Sequence, residues 1–526
     1  MDRRDGSTLR LPGGVEQAAG AVEAGCGAKA SARGEYRRRQ PEGMVLHKVV
    51  REHLETFLLQ AREASPEGSG LPRYVEKEFR RYLDCGLLEK GFALFECDKC
   101  GARRAVAFSC KTRSFCPSCL GRRMHEVATD LVERVLPVVP YRHWVLSLPV
   151  GLRFWAARDE RVMGKLRAIF MRSVGAWQRG RARKQGIRGA RTGAVVFTQR
   201  FSSRLLLWPH FHAVVPDGVF AEGEGGKVVF HELRPKDEDV EAIAERVARQ
   251  AGKLAKRLSG VELEPEALDQ VRGAARQGEL ALRLPAVEPL TEVSGRMLAN
   301  VEGFSLQAAR HLHAHDRRGL EFLIRYVLRP PFSQRRLEEL PNGNVLVGFK
   351  RPQANGVVGM ELTPMALMRR LASIIAPPGN HDIGYYGVFA AHSGWRRGLV
   401  ASNKRPGRSN REGEVPEWGE SLENVDPLAG EETWAADEAP APRHIPWAQL
   451  MKKVFAIDVL ECPCGGRRRV IGYVTEPERI REELGRLGLA HEAPKVSRAR
   501  APPQEELFER DCGSDGVDPP APDPVA

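Results

Sequence analysis

At 526 residues and 42% hydrophobic content, the chain is long and apolar enough for roughly two to four domains with cores of their own. It holds no apolar run of membrane-spanning length, and its N-terminal MDRRDGSTLRLPGG lacks the apolar stretch of a secretory signal, so a cytoplasmic protein is expected. Lys and Arg outnumber Asp and Glu by 81 to 68, and the resulting formal charge of +13 favours a polyanionic partner.

Residues 1–43 are rich in Gly, Ala and Arg without periodicity, which predicts a flexible basic tail. From Val45, VLHKVVREHLETFLLQAREA reads as an amphipathic helix, and a second helix over 72–83 leads into a cysteine cluster. In CDKCGARRAVAFSCKTRSFCPSCLGRRM, Cys97-x2-Cys100 and Cys116-x2-Cys119 stand fifteen residues apart. Two such knuckles supply four thiolates for one tetrahedral Zn²⁺, and a filled protein ligand set makes that zinc structural. Cys110 is surplus to the count. The surrounding arginines, Arg122 and Arg123 among them, suit a nucleic-acid backbone, although a solvated charged face has the same composition. Residues 44–135, ending in a helix over 124–135, are therefore expected to form a helical, zinc-stapled module.

HWVLSLPV (143–150) reads as a strand and 154–183 as largely helical, with basic residues crowded in QRGRARKQGIRGARTG. TGAVVFTQRF and LLLWPHFHAVVPDGVF then make two strands separated by SSR, the pattern of a hairpin. In the second strand His210 and His212 bracket Phe211. A period of two turns both imidazoles to one face, where they can grip a single divalent ion. Two hydrogen-bonded histidines at a strand end would give the same pattern. Gln199, on the preceding strand and close across the hairpin, is a candidate third ligand.

VVFHEL adds a third strand, 237–258 a charged helix, and 305–327 a mainly helical stretch cut by Pro330 and Pro331. On a helix, His311, His313 and His315 would be separated by about 200° per step and share no tight site. Tyr326 ends this stretch between Arg325 and Arg329, cations able to hold a phosphate and favour a phenolate. A buried helical tyrosine fits the local sequence as well. NVLVGFK and NGVVGMEL predict another hairpin and LTPMALMRRLASII a helix. The expected organisation is completed by a catalytic domain over 136–400, an acidic and Pro-rich linker over 401–443, a small unit over 444–490 and a disordered tail over 491–526. Cys462-Pro-Cys464 has one intervening residue and no second pair nearby, so no metal site is expected there.

The stretches REHLETFLLQAR, LPRYVEKEFRRYLDCGLLEKGFALFECDKCG, AFSCKTRSFCPSCLGRRM, HWVLSLPVGLRF, RTGAVVFTQRF, PHFHAVVPDGVF, LIRYVLRPPFSQRRL, YYGVFAAH and WAQLMKKVFAIDVLECPCG run in family order between about residues 45 and 475. Together they make the sequence resemble the transposases of rolling-circle insertion elements, within the His-hydrophobic-His (HUH) class of tyrosine endonucleases. The resemblance implies an α+β catalytic domain, with flanking helices and an antiparallel sheet that carries the His pair and receives Tyr326 from a helix. It implies that His210 and His212 bind Mg²⁺ or Mn²⁺, that Tyr326 becomes joined to the 5′ end of cleaved DNA, and that Cys97, Cys100, Cys116 and Cys119 form the zinc module. Some relatives carry a second tyrosine four residues earlier. Phe322 stands there, which points to the single-tyrosine branch. Tyr385 and Tyr386 are expected to be core or base-stacking residues.

The implied partners are single-stranded DNA at element ends and host replication or helicase proteins, with the chain cytoplasmic and nucleoid-associated. Two other readings use the same residues. One is a catalytically inactive zinc-module DNA-binding regulator; the other is a metal-dependent nuclease that activates water and leaves a free 5′ end.

Overall fold

The computed structural model describes residues 38–65, 68–202, 204–258, 268–269, 272, 297–349, 358–401, 447–455 and 457–500. Helices α1 (Val45–Glu63) and α2 (Arg73–Leu83) precede strands β1 (Phe92–Cys97) and β2 (Arg103–Ala107) and helix α3 (Pro117–Arg134). Next come β3 (Tyr141–Ser147), α4 (Val150–Arg158), α5 (Glu160–Lys184), β4 (Gly193–Phe201) and β5 (Leu207–Pro216). They are followed by β6 (Gly218–Glu222), β7 (Val228–Glu232), α6 (Asp237–Leu258), β8 (Leu298–Val301), β9 (Phe304–Leu312) and α7 (Arg317–Val327). The chain continues through β10 (Leu337–Glu339), β11 (Val345–Gly348), β12 (Gly359–Leu362), α8 (Pro364–Ser373), β13 (Ile383–Gly387) and α9 (Trp395–Ala401). Helix α10 (Trp447–Phe455), β14 (Arg468–Val474) and α11 (Pro477–Arg486) lie beyond residue 446.

An antiparallel six-stranded sheet in the order β13-β4-β5-β3-β9-β8 forms the centre, so the expected α+β class holds. Phe211, Ala213 and Val215 of β5 face one side and pack with Leu166, Phe170 and Val174 of α5 and Ile243 and Val247 of α6. Val195, Phe197 and Val214 face the other side and pack with Leu131 of α3 and Leu320, Leu323 and Ile324 of α7. A strand covered on both faces must be apolar at nearly every position, and β5 beyond His212 is.

The helix expected over 305–327 is replaced by β9 and a shorter α7. Phe304, Leu306 and Ala308 are buried while Gln307 and Ala309 are exposed, a period of two that fits a strand. Helix begins only where the Asp316 carboxylate accepts from the Gly319 amide at 2.7 Å, an N-cap. Helix α3 likewise starts earlier than expected, at Pro117, a residue suited to a first helical turn.

A second core unites distant segments. Leu54 and Phe57 of α1 and Val75 and Phe79 of α2 share it with Val345 and Val347 of β11 and Leu367 and Leu371 of α8. Lys48 of α1 and Glu339 of β10 add an ion pair at 2.6 Å. Strands β10 to β12 and helix α8 thus pack on the N-terminal helices although they lie within the range expected to form the catalytic domain. The C-terminal unit also joins this end of the molecule. Strand β14 pairs antiparallel with β1, giving a sheet in the order β14-β1-β2, and Ile480 and Leu484 of α11 complete a small core with Leu88, Phe92 and Leu94. Part of the tail expected to be disordered runs along α1, where the Ser497 amide donates to the Arg51 carbonyl and the Arg500 amide to Thr56 Oγ1, each at 3.0 Å. Residues 1–37, all but the first residue of the linker expected over 401–443, and residues 501–526 lie outside the described residues.

Candidate active site and cysteine centres

The strand register places the histidines as their spacing implied. His210 lies opposite Gln199 of β4 and Ser147 of β3, and His212 opposite Phe197 and Val145, so His210, His212 and Gln199 share the face covered by α7. The His210 Nδ1 atom is 2.7 Å from the Trp208 carbonyl oxygen. A carbonyl only accepts, so Nδ1 carries the proton and Nε2 keeps its lone pair. His212 Nδ1 is 3.0 Å from His143 Nε2, with the rings stacked at 5.1 Å and 12°. The rings of His210 and His212 are 4.8 Å apart. Burial lowers the pKa of all three, that of His143 to about 4, and His212 is lowered further by its two histidine neighbours. Neutral imidazoles are the form that binds metal. Gln199 is buried and its Nε2 has no hydrogen-bond partner; half a turn of the amide would present Oε1 instead.

Tyr326 meets this face from α7. The helix buries Leu320, Leu323, Ile324 and Val327, leaving Tyr326 at 37% and Phe322 at 50% exposure one turn apart. The Tyr326 ring stands 6.5 Å from His212, almost perpendicular at 85°. The Arg329 guanidinium lies 4.3 Å above the phenol ring, while Arg325 turns back toward Glu321, its Nε 3.8 Å from the carboxylate. Arg153 of α4, stacked 3.2 Å over Trp208, joins Arg329 in acting on His210.

Other basic and aromatic candidates lie elsewhere. The basic helix α5 packs on the opposite face of the sheet, so its arginines do not line the His–Tyr site. Arg122 and Arg123 sit in the first half of α3; Arg123 is half-buried beside Arg113, and burial lowers its pKa. Tyr385 and Tyr386 lie on the edge strand β13 and pack on opposite faces. The helical argument that kept His311 and His313 apart fails on strand β9, since their rings meet at 4.9 Å. His311 faces Asp217 at 3.4 Å, and that carboxylate is held by Arg142 at 2.8 and 2.7 Å. Among the described residues, none of these histidines belongs to a cluster of three close donors.

The cysteines correct the expected ligand set. Cys97 and Cys100 are not brought to Cys116 and Cys119. Instead the described residues form two tetrads, Cys85–Cys110–Cys116–Cys119 and Cys97–Cys100–Cys462–Cys464, each with its sulfurs within 4.8 Å of one another. The β1–β2 hairpin carries the Cys97 knuckle to the end of its sheet, where β14 delivers the terminal pair. The Cys116 knuckle opens α3 and packs in the core of α1 and α2, beside Cys85 at the end of α2. In the buried tetrad Cys85 Sγ lies 3.8 Å from Cys116 Sγ and 3.7 Å from Cys119 Sγ. Zn–S bonds of about 2.3 Å in a tetrahedron require S···S edges of about 3.8 Å, so the donor set fits zinc. Arg39 donates to both the carbonyl and the sulfur of Cys85, at 2.7 and 3.5 Å, and offsets the charge of clustered thiolates.

Residues 49–148 match the family described as "Transposase zinc-binding domain", and residues 193–396 match the family described as "Putative transposase". The chain carries transposase domains. The transposase region holds Gln199, His210, His212 and Tyr326, and the zinc-binding domain contains all six cysteines from Cys85 to Cys119 but ends far before Cys462. The zinc-binding match and the tetrads together support structural Zn²⁺. No curated protein and no solved structure matches the chain. No described helix is long and apolar enough to cross a membrane.

Sequence reasoning missed His143, Arg153, Cys85 and the roles of Cys110, Cys462 and Cys464. The first two stand in HWVLSLPVGLRF, whose own resemblance was a signal.

Proposed function

We propose that this transposase nicks and rejoins single-stranded DNA at insertion-element ends through a 5′-phosphotyrosine on Tyr326. The observation that carries the proposal is the half-exposed Tyr326 ring standing 6.5 Å from His212, over the face that also holds His210 and Gln199. The Tyr326 phenol oxygen attacks phosphorus, and the bond from phosphorus to the 3′ oxygen breaks. The phenol proton passes to solvent and the leaving oxygen gains one, becoming a 3′-hydroxyl. The tyrosine linkage is still a phosphodiester, so a second 3′-hydroxyl can reverse the step and join a new strand without ATP.

Arg329, over the ring, neutralises the phosphate. His143 orients His212 through the bond at 3.0 Å. Mg²⁺ or Mn²⁺ held by His210, His212 and Gln199 would supply charge stabilisation at the scissile phosphate. With Phe322 at the preceding turn, each subunit offers one tyrosine on this helix face, as in a single-tyrosine enzyme. Nucleoid DNA opened by host replication or helicase proteins is the source of single strands that fits this chemistry.

The test uses 5′- and 3′-labelled single-stranded DNA containing an element end, with Mn²⁺ or chelator, resolved on a denaturing gel. The wild-type chain is expected to yield a metal-dependent covalent adduct with the downstream fragment, and Tyr326→Phe to abolish it while retaining DNA binding. Cleavage with a free 5′ end would identify a water-using nuclease instead. Binding to a verified end without cleavage would identify a regulator.

A further inference from the structure

We infer that the chain binds a second zinc ion at Cys97, Cys100, Cys462 and Cys464, and that this ion locks the C-terminal unit onto the zinc-binding domain. Cys97 Sγ lies 3.5 Å from Cys464 Sγ, across 367 sequence positions, and Cys100 Sγ lies 3.8 Å from Cys462 Sγ. All four sulfurs fall within 4.8 Å of one another, whereas disulfides would draw them into two tight pairs at about 2.05 Å. The spacing is that of a tetrahedron about 3.8 Å on an edge.

Both halves of the site are built as knuckles. In the first, the Gly101 amide donates to the Cys97 carbonyl at 3.0 Å, and the amides of Lys99 and Cys100 point at Cys97 Sγ. In the second, the Gly465 amide donates to the Cys462 carbonyl at 2.9 Å, and the Gly466 amide points at Cys464 Sγ. Each turn needs the left-handed backbone that glycine tolerates, with φ of +70° at Gly101 and +78° at Gly465. A Cβ on Gly466 would stand 2.7 Å from Cys97 Sγ, so only glycine lets the two knuckles close.

Four thiolates and one zinc leave net negative charge, and cationic side chains stand beside it. Arg468 Nη2 is 3.5 Å from Cys462 Sγ, and Lys99 donates from one knuckle to the Cys464 carbonyl of the other at 3.1 Å. Further backbone bonds cross the junction: the Asp98 amide donates to the Arg467 carbonyl at 2.9 Å, and the Arg467 amide to the Asp98 carboxylate at 2.8 Å. The terminal Cys-Pro-Cys is thus the missing half of a site whose first half lies in the zinc-binding domain. Metal binding here is coupled to docking of β14, because neither half holds four ligands alone.

The full-length chain, purified without chelator, is expected to contain two zinc ions, and the Cys462→Ser/Cys464→Ser variant one. In that variant the β14 amide hydrogens are expected to exchange at least about tenfold faster. One zinc in the wild-type chain, or two in the variant, would overturn the assignment, and unchanged exchange after loss of one zinc would overturn the lock. A footprint on the wild-type chain does not depend on the variant folding. Cys100 is exposed and Cys464 partly so, yet both are expected to resist maleimide until a chelator is added, and then to react together with Cys97 and Cys462. Alkylation of Cys462 and Cys464 in the zinc-loaded chain would also overturn it.

Discussion

His212 has His143 stacked on one side and His210 on the other, and the face they share is the one Tyr326 approaches. Two buried imidazoles and a half-buried third side by side cost desolvation and gain little packing, which favours a ligand role over a structural one. In the proposed site His143 is a positioning residue, through its bond to Nδ1 of His212. His143→Ala is therefore expected to leave the fold intact and to weaken metal-dependent cleavage about 10- to 100-fold. The loss should appear as a rise in the Mn²⁺ concentration for half-maximal cleavage; an unchanged Mn²⁺ dependence would remove His143 from the site. His210 and His212 were legible because a strand period needs only local sequence. His143 was not, because its value depends on the register of a strand some seventy positions away, which no local pattern encodes.

At the scale of elements, one helix links the buried cysteine tetrad to the helix that carries Tyr326. Helix α3 starts at Cys116 and Cys119 and ends against α7, where Arg317 donates to the carbonyls of Val132, Leu136 and Pro137. The last carbonyls of a helix have no partner within it, and this guanidinium from the Tyr326 helix satisfies that of Val132 together with the Leu136 and Pro137 carbonyls just past the helix end. Arg317→Ala is expected to cost about 2–3 kcal/mol, because several charge-assisted hydrogen bonds to half-buried carbonyls are lost. The exposed neighbour Arg318 should cost no more than about 0.5 kcal/mol on the same substitution. Equal shifts of the denaturation midpoint in the two variants would contradict the cap. Sequence periodicity gave α1, α2, α6 and the β4–β5 hairpin close to their observed limits. It failed over 305–312, where β9 lies on the sheet beside β3 and tertiary pairing overrides a weak local preference.

The whole molecule is interleaved in a way that linear domain boundaries miss. Strands β10 to β12 and helix α8 stand apart from the central sheet and pack with α1, and the chain returns to supply that sheet's edge strand β13. Strand β14 closes a sheet begun at β1, and residues 497 and 500 bond to α1. Each of these pairings joins segments hundreds of residues apart, which is why the cysteine spacing suggested one zinc site where the fold assembles two tetrads. The zinc-binding domain, its C-terminal completion and the His–Tyr face are consequently one connected framework, with α3 running between them.

The most direct test of the account is tandem mass spectrometry of the protein–DNA adduct after the DNA is trimmed with nuclease. The account predicts a nucleotide joined through its 5′-phosphate to the Tyr326 phenol oxygen in the peptide containing RYVLRPP. A nucleotide on another residue, or unmodified Tyr326 accompanied by cleaved DNA with a free 5′-phosphate, would contradict it.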